Sequence, residues 1–189
     1  MKKFVMIVFI LASACLVFGN GLSENMRIDQ SNQPVWTVKT FVDEFGQDTE
    51  ERYITTMKPI QGNFTESSLN TKSKPVEVHL IISKDIAAIE IYEEGKIIEW
   101  PYRENKLRIK DGMANIYTNT ITPMVPNRYD LFDNAWNDLI KSLSVVGETS
   151  FAINLTYKRA YSFTVDTSGF KELYESTFPS SAQNPAQSL

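Results

Sequence analysis

Histidine and cysteine are the residues whose scarcity bounds the chemistry open to this 189-residue chain, with one of each, His79 and Cys15. A multi-histidine zinc site cannot be assembled from a single imidazole. Cys15 lies inside an N-terminal apolar run, so a soluble mature form has no Cys-His pair. A Ser-His-Asp triad would have to use His79. In Val76-Glu-Val-His-Leu-Ile-Ile82, however, His79 shares the polar side with Glu77, opposite Val76, Val78, Leu80 and Ile82. The expectation is an exposed strand histidine with no catalytic role. Serine and lysine are plentiful, but no framing motif marks a Ser-Lys pair.

Carboxylates are densest at Asp43, Glu44, Asp48, Glu50 and Glu51, around Phe45-Gly46. Oxygen ligands on a turn can gather calcium, which takes six to eight of them, and Asp43 and Asp48 are the candidate ligands. The spacing is not that of an EF-hand loop. The plainer reading, and the favoured one, is a strand-to-strand turn at Gly46 solvated by its carboxylates. A pair of catalytic carboxylates needs burial to raise one pKa, and nothing in the pattern supplies it. No glycine-rich loop cradles a phosphate, and no cofactor is expected.

Trp36, Trp100 and Trp136, with eight tyrosines, offer material for a carbohydrate or peptide platform. Trp136 falls on a helical stripe and is expected in the core, where its truncation should be the most disruptive of the three. Trp36 alternates with Val38 and also reads as core. Trp100, before Pro101 and Tyr102, sits where a strand ends, so Trp100 and Tyr102 are the candidate ligand-binding aromatics. Asn63-Phe-Thr65 and Asn154-Leu-Thr156 match the glycosylation pattern, which a chain of this length produces by chance.

The elements that must position these residues follow mostly a period of two. Strands are predicted at Val35 to Val42, Tyr53 to Met57, Val76 to Ile82, Ile86 to Tyr92, Lys96 to Trp100, Leu107 to Ile109 and Ala114 to Thr120. Phe151 to Tyr157 and Tyr161 to Val165 predict a hairpin. Glu94-Gly95 and Asp111-Gly112 are turn signals. Phe132, Ala135, Trp136, Leu139, Ile140 and Leu143 form one apolar helical stripe, with Asp130 as the expected cap and Gly147 beyond the end. A shorter helix after Ser168, carrying Phe170, Leu173 and Tyr174, should pack on the sheet edge. The prediction is an α+β, β-rich fold: a sandwich or open barrel of seven to nine mostly antiparallel strands with two helices.

Residues 1–19 (MKKFVMIVFILASACLVFG) pair Lys2 and Lys3 with an apolar run, the pattern of an export signal. The run is short of the roughly 20 residues that span a bilayer. Two processing routes fit: cleavage after Gly19, which is favoured, or acylation of Cys15 in a relaxed lipobox. Residues 20–34 read as a flexible linker, 35–178 as a single β-rich domain and 179–189 as a disordered tail. The domain is large enough for a sizeable core. The formal net charge of −4 disfavours nucleic acid and anionic membrane, leaving a lipid on Cys15 as the one membrane link.

Trp36 to Thr49, followed by Tyr53-Ile54 and Gly62 to Thr65, resembles a group of exported bacterial proteins of unknown function. Their first strand carries a tryptophan and runs into an Asp-Glu-Phe-Gly turn. Phe151 to Glu172 is similar to the ending of invasion-associated locus B type proteins, but lacks the disulfide cysteines of that group. These resemblances imply export, a bacterial source and a β-rich domain, and they carry over no catalytic residue. The function expected is a non-enzymatic protein of the periplasm or cell envelope that binds a protein or envelope polymer. The alternative is an exported hydrolase using the carboxylates of the Asp43 to Glu51 turn.

Overall fold

Alternation decides which side of each strand is buried. Val76, Val78, Leu80 and Ile82 are all essentially inaccessible, while Glu77 between them is exposed. The same rule holds in Leu107 and Ile109, and in Phe151 and Ile153. A computed structural model of the chain describes residues 35–66, 72–94, 103–156 and 159–179. The export signal, the linker, the predicted strand at Lys96 to Trp100 and nearly all of the tail lie outside the described residues.

The strands are β1 (Trp36–Val42), β2 (Asp48–Thr56), β3 (Ile60–Glu66), β4 (Lys72–Ile82), β5 (Ala87–Glu93), β6 (Asn105–Lys110), β7 (Ile116–Ile121), β8 (Pro123–Val125), β9 (Arg128–Leu131), β10 (Glu148–Thr156) and β11 (Arg159–Asp166). Helix α1 (Asp133–Leu143) precedes β10, and α2 (Phe170–Thr177) follows β11. Nine strands run in the order β7-β6-β10-β11-β3-β4-β5-β9-β8, every pair antiparallel, and β1 and β2 branch off beside β4. The fold is the β-rich α+β type, a nearly closed sheet with two helices.

The two ends of that order, β7 and β8, are consecutive in the chain and separated only by Thr122. Ile121 pairs with Asn105 of β6, and Pro123 pairs with Tyr129 of β9. Two residues of chain span at most about 7 Å, so one bent strand brings the sheet's margins together. Pro123 opens β8, the position where a missing N–H costs a sheet least. Asn105 Nδ2 donates to Tyr129 Oη at 3.1 Å across the seam, with both residues buried.

Three strands escape the sequence pattern. In β3 the inward positions are Ile60, Gly62 and Phe64, and the glycine breaks the apolar alternation. A Cβ at Gly62 would lie 2.8 Å from Ser162 O, 3.0 Å from Phe163 Cβ and 3.1 Å from Val76 Cγ2. Only glycine lets β3 sit this close to both neighbours. β8 and β9 are too short to show a period.

Helix α1 lays Ala135, Leu139 and Leu143 on the core. Its start differs from expectation. Asp130 belongs to β9 and pairs with Arg128, and Phe132 is the N-cap residue with no side-chain cap. Phe132 is 46% exposed because β9 has only just ended at Leu131. α2 packs on the edge strand β1, as expected, with Trp36 and Phe170 rings 4.9 Å apart edge to face.

Trp36 is the deeper of the two described tryptophans, at 4% exposure, and its Nε1 donates to Asp166 O at 3.0 Å. Trp136 is only half-buried against the core. Its Nε1 is buried without a hydrogen-bond partner among the described residues. The expectation that Trp136 matters most therefore transfers to Trp36. Trp36→Ala should cost about 3–5 kcal/mol and Trp136→Ala less, read as denaturant midpoints. An equal or larger loss for Trp136→Ala would contradict this placement.

Candidate functional site

The outward face of β2, β4, β5 and β9 gathers charged and aromatic side chains from four strands. Ile54 faces the core, which turns Tyr53 of β2 outward. His79 of β4 lies opposite Glu90 of β5, and Glu90 lies opposite Arg128 of β9. Tyr92 and Asp130 share that face, two residues along from Glu90 and Arg128. Phe41 of β1 extends it, its ring 4.6 Å from that of Tyr53.

Glu90, Arg128, Asp130, Tyr92 and His79 form one connected network, with the Phe41–Tyr53 pair beside it. Arg128 Nε donates to Asp130 Oδ1 at 2.6 Å, and its Nη1 lies 3.6 Å from Glu90 Oε1. Tyr92 Oη donates to Glu90 Oε2 at 3.0 Å. The His79 imidazole stands edge-on to the Tyr92 ring at 5.5 Å. Arg128, Glu90 and Asp130 side chains are 20%, 16% and 17% exposed, low values for charges on the outer face of a sheet. Close pairing is what makes that burial tolerable.

The phenols respond to the same surroundings. Burial pushes the Tyr53 pKa above its ordinary 10.0, and the nearby Glu90 carboxylate adds to the rise. Burial and Glu90 also raise Tyr92, against smaller opposing effects of Asn127 and Arg128. Both phenols therefore stay protonated as donors through the whole neutral range.

The other sites foreseen in the sequence fall elsewhere. Asp43 opens the β1–β2 turn, where its Oδ1 accepts from Phe45 N at 2.9 Å and Gln47 N at 2.8 Å, and Gly46 takes φ +77°. Asp48 opens β2 opposite Val42, and both aspartates are exposed. No three His, Cys, Asp or Glu side chains are placed to hold a metal ion among the described residues. Asp111 is a second turn-closing carboxylate, 3% exposed. Burial works to raise its pKa, but hydrogen bonds from Asn115 Nδ2, the backbone N–H groups of Asn115 and Met113, and the Tyr117 hydroxyl hold it below the usual value. Trp100, Tyr102 and Cys15 lie outside the described residues.

His79 is thus on the polar side of its strand, as expected, and half-covered by Tyr92 and its neighbours. Sequence reasoning missed the network around it, because its members come from positions 41 to 130 and only strand pairing joins them. The one local signal is the run of polar outward positions in β4 and β5. Comparison with known proteins finds no matching family model, no matching curated protein and no matching solved structure.

Two outcomes test this geometry. Tyr129 and Tyr174 have raised pKa values too, chiefly through burial. A raised folded pKa means the native state holds the proton more tightly than the unfolded chain. That stability is complete below about pH 10 and is lost as pH rises through the folded values. The melting temperature should fall there, and part of the phenolate absorbance should appear only with unfolding. Phenolate absorbance that develops in full at about pH 10 without loss of fold would refute the buried network. At the acidic turn, Asp43→Ala should cost about 1 kcal/mol through its two lost hydrogen bonds. The loss should be the same with and without calcium; a calcium-dependent rise in melting temperature abolished by the mutation would restore a metal role.

Proposed function

We propose that this chain is a non-enzymatic binding module, exported to the periplasm or cell envelope, that engages an envelope component through the outward face of β2, β4, β5 and β9. The observation that carries the reading is the paired set Glu90, Arg128 and Asp130, flanked by the rings of Phe41, Tyr53, His79 and Tyr92. Charges placed outward on a sheet ordinarily stay solvated and mobile. Here they are fixed against one another and against aromatic rings, so a ligand meets a surface already ordered, with little side-chain freedom left to lose on binding. The inward side is committed to packing, with Leu80, Ile82, Ile89, Ile91, Leu107 and Ile109 all inaccessible. Export rests on the basic and apolar pattern of residues 1–19, and the resemblances at Trp36 to Thr65 and Phe151 to Glu172 point the same way.

Sedimentation with washed envelopes of the source organism tests the face. Wild-type protein should be retained, and Tyr53→Ala/Tyr92→Ala should lose about tenfold in apparent affinity while its melting curve stays cooperative. Equal retention of the double variant, or no retention of wild type, would overturn the assignment. The N-terminus of protein recovered from its host tests the address: Asn20 or an acylated Cys15 agrees with export, and an intact Met1 in the cytosolic fraction does not.

A further inference from the structure

Taking the outward face as the binding surface, we infer that its ligand is an uncharged, hydroxyl-rich glycan strand lying across β2, β4, β5 and β9. The inference rests on that reading and adds the ligand's chemistry.

The charges argue first. Arg128 already bridges Glu90 and Asp130, at 3.6 and 2.6 Å, so its single positive charge is fully engaged and offsets one of the two carboxylates. A strongly anionic ligand would meet two carboxylates before it reached Arg128. A strongly cationic one would have to compete with a guanidinium held in place on both sides. Hydroxyl groups face neither obstacle. An ionised carboxylate has about four lone-pair sites. Glu90 uses one oxygen toward Arg128 and the other toward Tyr92, which leaves acceptor capacity on both oxygens for incoming O–H donors. A hydrogen bond to a charged acceptor is about twice as strong as one between neutral groups. A polyol can therefore gain affinity here without bringing a charge of its own.

The rings argue second. Two aromatic pairs flank the ionic centre, Phe41 with Tyr53 and His79 with Tyr92. All four residues are half-buried, so each ring is fixed while part of it still meets solvent. Sugar rings present apolar C–H faces beside their hydroxyl edges. That combination matches aromatic surface next to carboxylates, and it matches neither a lipid chain nor a nucleic acid backbone.

Extent argues third. Four neighbouring strands spaced about 4.8 Å apart put the outer members about 14 Å from one another, so the surface is elongated across the strands. A peptide adding by backbone pairing would need a sheet edge, whereas β4 and β5 are paired on both sides.

The test titrates the purified protein with neutral β-1,4-linked hexasaccharides of glucose and of N-acetylglucosamine, followed by calorimetry at low and high salt. At least one should bind, with an affinity that changes little with salt because no net charge is neutralised. Tyr92→Ala and Tyr53→Ala should each weaken it about tenfold without lowering the melting temperature enough to unfold the protein. Glu90→Gln keeps the shape and removes the charged acceptor, and it should weaken binding as well. Failure to bind either hexasaccharide, or a preference for a polyanionic or polycationic oligomer that fades with salt, would overturn the glycan assignment. Envelope retention that still depends on Tyr53 and Tyr92 would then leave the face standing with another ligand. Loss of that dependence would remove the face itself.

Discussion

A strand that leaves one neighbour at Ile121 and takes up another at Pro123 holds the two margins of this sheet together, and most of the structure depends on that change of partner. Without it, β7 and β8 would be separate ends of a long open sheet, each with a row of unpaired backbone groups. With it, the inward side becomes an enclosed space that can be filled from all round. Asn105 and Tyr129 tie the same seam from within through a buried hydrogen bond. The apolar residues of β4, β5, β6 and β10 then need only the alternation they already have.

Closure also divides the labour between the two sides of the sheet. Inward positions are occupied by Ile, Leu, Val, Phe and Tyr, and their identity is set by volume. Outward positions are free of that demand, and on β4, β5 and β9 they carry a set of groups that packing alone does not require. Glu90 is the pivot of this set, since it meets both Arg128 and Tyr92 and raises the pKa of Tyr53. The hairpin of β1 and β2 adds Phe41 and Tyr53 to the rim of the face. Its attachment to the main sheet is narrow, with Ile54 opposite Ile82 as the single register pair. The burial of Trp36 against α2 fixes the hairpin from the other end.

What the amino-acid order made legible was local. The strand at Val76 to Ile82, the hairpin of Phe151 and Tyr161, and the stripe of α1 each announce themselves through a period that packing rewards directly. β3 was hidden because its central inward position must be glycine, so the tight approach of β4 and β11 erases the apolar signal that would reveal it. Asp130 looked like a helix cap because capping residues and ion-pair residues are the same few types. The periodicity did not separate Trp36 from Trp136 in advance, since both lie on apolar faces; depth of burial and the partner of each indole N–H distinguish them only in the folded chain. The network around Glu90 was out of reach for a different reason. Its members are far apart in the chain, and only strand order, which no local pattern encodes, brings them to one face.

The pairing of β3 with β11 joins residues near position 63 to residues near position 162, and Trp36 reaches Asp166 in the same region. β3 gains its second neighbour, and Trp36 its hydrogen-bond partner, only once residues 159–166 have been made. Contacts of this separation carry a high loop-closure cost before any burial compensates it, so the domain should fold late and slowly. On the proposal that the chain is exported unfolded, such lateness would be an asset. The same strand order that closes the sheet would then keep the chain pliable until its last strands are available for pairing.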